Sequence, residues 1–138
     1  MSNRKFLFLY LNTGAGHISA AKVLASAMKQ EDPSVEIEMT LGFKKNGISR
    51  VFFEKGYNYA CNYFHGAFPL IYDLGEYRWV QSLLHFFVGT DTRRYLRKLI
   101  LEEHPTDIVC FHFGVTPFVK TVLQNIPWKV NFTVIVTD

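Results

Sequence analysis

From Phe6 to Leu11 the chain reads FLFLYL, an apolar run without alternation. Such a run predicts a strand over residues 4–11 that is buried on both faces, as in a parallel sheet. Residues 12–16 form a turn. Over 17–30, HISAAKVLASAMKQ places Ala20, Val23, Leu24, Ala27 and Met28 at helical spacing, and its small side chains let a helix lie close to a sheet. Pro33 closes the connection, and VEIEMT at 35–40 alternates apolar with polar, predicting a second strand nearer an edge. Strand, helix and strand in this order imply parallel pairing through a right-handed crossover.

The rhythm then breaks. Residues 43–103 offer no strand and predict helices near 48–64, 69–88 and 90–103, separated by Gly66, Pro69 and Gly89. In the third of these, Tyr95, Leu96, Leu99 and Ile100 face inward and Thr90 or Asp91 supplies the cap. The α/β pattern resumes with a strand at 107–113, a helix at 115–125 and a strand at 130–136. The expected fold is α/β: a Rossmann-like parallel sheet with helices on both faces and a helical, aromatic-rich insertion over 43–103. A domain seldom stops flush at the carboxyl end of a central strand, so the expectation is that more chain follows Asp138.

Composition narrows the function. A chain of 138 residues, 49% apolar, is about one domain with a sizeable core. A formal charge of +3 is too small to argue for nucleic acid. Arg4 and Lys5 before six apolar residues resemble a signal peptide, but that apolar stretch is too short and lacks a cleavage site. No run of 18 apolar residues exists, so membrane contact is expected to be peripheral. Cys61 and Cys110 fit no metal spacing and read as reduced thiols. His65, His85 and His104 show no ligand spacing either, and no metal site is expected.

In an open α/β sheet, ligands collect at the carboxyl ends of the strands. His17, His112 and Asp138 all follow strands there, although they are far apart in sequence. The first turn, Asn12-Thr13-Gly14-Ala15-Gly16-His17, lacks the lysine and Ser/Thr of a P-loop. Gly14 and Gly16 permit positive φ and close backbone approach, and the turn opens a helix whose N-terminus favours negative charge and a neutral imidazole at His17. His112, inside FHFG, reads either as a site residue or as a core histidine with one satisfied nitrogen. Asp138 suits a general base or a helix cap equally. Residues 43–87 hold 13 of the chain's 22 aromatics, flanked by Lys44, Lys45, Arg50, Lys55 and Arg78. These suit an anionic headgroup zone or an acyl groove, and equally the packing of helices on the sheet.

Three stretches carry a resemblance: LYLNTGAGHISAAKVLASAM, HPTDIVCFHFGVTPFV and IPWKVNFTVIVTD. Together they resemble the N-terminal domain of the monogalactosyldiacylglycerol synthase family, which includes processive diacylglycerol glucosyltransferases and is related to the MurG-type enzymes. The resemblance implies the N-terminal, acceptor-side half of a GT-B glycosyltransferase, with residues 1–138 as one Rossmann-like domain and the donor-binding C-terminal domain absent from the chain. It implies transfer of a hexose from a UDP-sugar to diacylglycerol, with no cofactor, at an anionic membrane surface on the cytoplasmic face. Alone, these 138 residues are expected to be inactive. His17 and Asp138 are then the expected catalytic residues, Asp138 as base toward the acceptor hydroxyl. Gly14, Ala15, Gly16 and His112 are expected to border the acceptor. Ala15 stands where the family loop often has a further glycine, and its methyl restricts φ. Phe52, Phe53, Phe64, Phe68 and Trp79 are the expected membrane or acyl contacts. Two other readings stay open: a non-catalytic, membrane-recruiting subunit of a split glycosyltransferase, and an unrelated Rossmann-like nucleotide binder.

Overall fold

The computed structural model describes residues 4–56, 59, 62, 63, 66, 73 and 76–136. Along the chain run β1 (Lys5–Tyr10), α1 (Ala15–Glu31), β2 (Glu36–Leu41) and a short α2 (Ile48–Arg50) that continues into a π-helix (Val51–Gly56). After these come α3 (Arg78–Glu103), β3 (Asp107–Cys110), α4 (Thr116–Leu123) and β4 (Asn131–Val134). Among the described residues the sheet is four-stranded and wholly parallel, in the order β2-β1-β3-β4. β4 pairs with β3 and closes the order of the described strands.

Alternation along β1 sends its side chains to two cores. Phe6 and Phe8 join Val109, Phe111 and Ala21 of α1 on one face, with Ala20, Leu24, Ala25 and Met28 packed around them. Leu7, Leu9 and Leu11 join Ile108, Cys110, Leu96, Ile100 and Val119 on the other. Helices cover both faces, and each fully buried aliphatic such as Leu96 or Ile100 stabilises the fold by about 1.5–3 kcal/mol. Burial also pushes the Cys110 thiol up to about 12, which makes it an inert core side chain. Cys61 lies outside the described residues.

Several boundaries differ from the sequence reading for local reasons. In α1 the buried face is centred on Ala21, and Val23 and Ala27 point outward. The helix starts at Ala15, two residues early, because Ala15 and Gly16 adopt helical conformation. α3 runs through Gly89 without a break. A Cβ on Gly89 would lie 2.8 Å from Arg93 Nη1 and 3.2 Å from Phe118 Cε1, so the glycine serves the close approach of α3 and α4. Thr90 and Asp91 are thus mid-helix, and the Thr90 hydroxyl donates to the Phe86 carbonyl one turn back instead of capping. The inward face at Tyr95, Leu96, Leu99 and Ile100 is as expected, and the Tyr95 hydroxyl donates to the Leu41 carbonyl at 2.9 Å.

At the amino ends of the strands, Asp107 ties three of them together. It accepts from Arg4 Nη2 at 2.6 Å, from Thr106 Oγ1 at 2.7 Å and from Asn131 Nδ2 at 3.0 Å. Burial alone would raise this carboxyl, but the hydrogen bonds and the Arg4 charge outweigh it and hold the group below the ordinary carboxylate range. With the amino edge so braced, the carboxyl edge is left to loops.

Gly42, just past β2, shows how tightly that carboxyl edge is packed. Its N–H donates to the Tyr10 carbonyl at 2.9 Å, and a Cβ there would sit 2.6 Å from Val115 Cγ2, within the loop after β3. Val115 is fully buried, so neither side yields freely. Gly42→Ala is expected to destabilise the fold by about 1–3 kcal/mol, the usual cost of overpacking. Urea denaturation checks this, and an unchanged midpoint would show that the loop after β3 can move aside.

Candidate functional site

The strand order places β2 on one side of β1 and β3 on the other, so the order of the strands switches between β1 and β3. Crevices in open α/β sheets form at such a switch point, beyond the carboxyl ends of the strands. Two loops meet there. One leaves β1 through Leu11–Gly14 and enters α1, and the other leaves β3 through Phe111–Val115 and enters α4. The Phe111 N–H donates to the Leu9 carbonyl at 2.9 Å, which holds both loops in register.

Gly14 is the N-cap of α1, with φ 127° and ψ 165°. That backbone is closed to side chains with a Cβ, although a Cβ would meet nothing within 4 Å. Conformation, not space, requires the glycine. Among the described residues it is the only glycine with positive φ, so Gly16 does not use the freedom expected of it. Ala15 occupies the first helical position, where its methyl costs nothing in φ. His17 follows at N3, in a first turn that carries no acidic side chain and no side-chain cap.

His17 and His112 come together. Their ring centroids are 4.8 Å apart, edge to face at 67°. His112 is 8% exposed, and its Nδ1 accepts the Gly114 N–H at 3.0 Å. In the neutral ring the proton therefore sits on Nε2, which is a donor. Burial first, and the charge of His17 second, lower the His112 pKa from 6.5 to about 4. One face of this ring is stacked by Phe113 at 4.7 Å and 20°, and Phe113 itself is 77% exposed at the mouth of the loop. A buried imidazole with one satisfied nitrogen is the core reading of His112, and the ring also lies beside the glycine turn. Asp138 lies outside the described residues. The segment approaching it is placed, since the Ile135 N–H donates to the Cys110 carbonyl at 2.8 Å and keeps the chain beside β3.

Sequence reasoning missed Glu54. This π-helix residue is 9% exposed, and its Oε1 accepts the Asn12 N–H at 3.1 Å while Oε2 takes Arg50 Nε at 2.6 Å. The Arg–Glu spacing of four was a legible helical pair, but nothing along the chain pointed to Asn12. Among the described residues, no group of three or more His, Cys, Asp or Glu is placed to hold a metal ion.

The aromatic insertion divides. Phe43 is in the core, whereas Trp79, Leu83, Phe86 and Phe87 recur at i, i+4, i+7 and i+8 of α3 and are exposed, Trp79 to 63%. Val88 of the same helix, the next residue, is in the core. The expected contacts at Phe52 and Phe53 fall in the π-helix, with side chains outside the described structure, and Phe64 and Phe68 lie outside the described residues altogether. Among the described residues no helix is long and apolar enough to cross a membrane.

Searches among curated proteins and solved structures found no significant match. Residues 17–138 match the family model of monogalactosyldiacylglycerol (MGDG) synthase, a span that opens on His17 and takes in the loop after β3. With a Rossmann-like parallel sheet and a match over most of its length, the chain belongs to the MGDG synthase family of glycolipid glycosyltransferases, as an N-terminal domain of the GT-B type.

Proposed function

We propose that this domain is the acceptor-binding half of a membrane-associated enzyme that moves a hexose from a UDP-sugar to diacylglycerol. The observation that carries the reading is the pairing of His17 with His112 at the switch point of a chain from this family. His17 stands at the helix N-terminus, where it hydrogen-bonds the acceptor hydroxyl and directs it toward the sugar. His112, neutral and buried, presents Nε2–H as a fixed donor beside it. Asp138, four residues beyond β4 along the chain, takes the hydroxyl proton as the new glycosidic bond forms. UDP is the leaving group, held by a partner domain of the GT-B pair.

The exposed stripe Trp79, Leu83, Phe86 and Phe87 is then the lipid-facing surface. Aromatics on one helix face, with Arg78 beside them, suit the interfacial zone of an anionic bilayer. The test is transfer from radiolabelled UDP-glucose and UDP-galactose to diacylglycerol in vesicles by the intact enzyme, with the product identified by mass spectrometry. A glycosyl diacylglycerol is expected, and its absence with both donors overturns the reading. Replacing Trp79, Phe86 and Phe87 together by serine is expected to cut sedimentation with anionic vesicles at least ~10-fold, given roughly 1.5 kcal/mol or more per aromatic withdrawn from an apolar phase. Unchanged sedimentation would move the membrane contact elsewhere on the domain.

A further inference from the structure

The turn that carries His17 has a weak point. Gly14 sits in a backbone region that only glycine enters readily, and a glycine hinge leaves the path from β1 to α1 free to vary. The turn is held at its base from outside. The Asn12 N–H, the first amide beyond Leu11, donates to Glu54 Oε1 across 42 residues of sequence. Glu54 is in turn fixed by Arg50 Nε, and Arg50 Nη1 donates to the Lys45 carbonyl at 3.0 Å. Glu54 sits in a π-helix, a rare conformation that recurs at functional sites. A carboxylate this buried is costly unless its oxygens are matched, and here both are.

We propose that Glu54 is a positioning residue: it clamps the Asn12 amide and thereby sets the height of the glycine turn and of His17 over the sheet. This rests on the glycosyltransferase reading of the site, and adds to it a link between the insertion and the acceptor turn. The clamp needs an acceptor oxygen, not a titrating group. Glu54→Gln supplies that oxygen, and Glu54→Ala does not.

Two measurements on the intact enzyme test it. For Glu54→Ala, kcat is expected to fall about 10–100-fold, because small misplacements at a reacting centre cost that much, while KM for the UDP-sugar stays within about threefold because the donor is bound elsewhere. Amide exchange at Asn12 should quicken at least ~10-fold, with the β1 amides unchanged. Glu54→Gln should restore both to within about threefold. Loss of activity in Glu54→Gln equal to that in Glu54→Ala would overturn the proposal and make the carboxylate a participant in proton transfer. Unchanged Asn12 exchange in Glu54→Ala would overturn it as well. If Glu54→Ala does not fold, Arg50→Met removes the anchor of the clamp, and the same drop in kcat with faster Asn12 exchange is required. If the wild type transfers no sugar, the glycosyltransferase reading falls, and the exchange comparison alone decides whether the clamp exists.

Discussion

His17→Ala in the intact enzyme is expected to lower glycosyl transfer about 10²–10⁴-fold, the range for losing a group that directs a proton at a reacting centre. Its thermal stability should hardly change. His17 is the third helical residue of α1 and only partly buried, and its edge contact with His112 at 4.8 Å lies at the end of the sheet rather than in its core. Against the loss of that contact, alanine is a better helix former than histidine by roughly half a kcal/mol. The two effects are opposite in sign, so a large drop in activity with an unchanged melting temperature is the expected result. Steady-state transfer and a melting curve on the same preparation check this. Full activity would return the histidine to the status of a turn residue, and a parallel loss of melting temperature would make its role structural.

Much of the scaffold behind that expectation is legible in the chain. The unbroken run from Phe6 to Leu11 marks a strand buried on both sides, and β1, like β3, has a neighbour on either side and a core on either face. The alternation in VEIEMT marks an edge strand, and β2 is one. That His17 and His112 share one edge followed from parallel pairing alone. What the chain hides are contacts made by other elements. Gly89 looks like a helix break because glycine costs about 1 kcal/mol there, yet the helix continues because Phe118 packs against the space a side chain would fill. Glycines in the turn look equivalent, but only Gly14 uses its freedom. Glu54 is invisible because its partner is a backbone amide on another element, and backbone amides leave no trace in residue identity.

The second large expectation concerns pH. His112 has its pKa lowered from 6.5 to about 4, by burial first and by the His17 charge second. Below pH 6.5 the unfolded chain takes up a proton at this position that the folded chain refuses until about pH 4. The unfolded state then binds more protons, so stability falls as pH falls through that window. The full shift corresponds to roughly 2–3 kcal/mol lost between pH 7 and pH 4, a large share of a typical domain's stability. Geometry gives the same sign, because a proton on Nδ1 would face the Gly114 N–H donor at 3.0 Å. Asp107 does not contribute in this range: its carboxyl is held below the ordinary value of 3.8, so the stability it confers is lost only at still lower pH. His112→Asn keeps an acceptor oxygen in reach of the Gly114 amide and removes the titration. Urea denaturation of both proteins at pH 7, 6, 5 and 4 should show a steep fall for the wild type and a shallow one for the variant. Slopes are compared rather than absolute stabilities, so the lost stacking with Phe113 does not enter. His17→Ala removes the second cause and leaves the first, and its slope should be slightly shallower than wild type. Equal slopes in wild type and His112→Asn would mean that the imidazole takes up its proton over the same pH range folded as unfolded, and that its burial beside the glycine turn does not hold it neutral in acid.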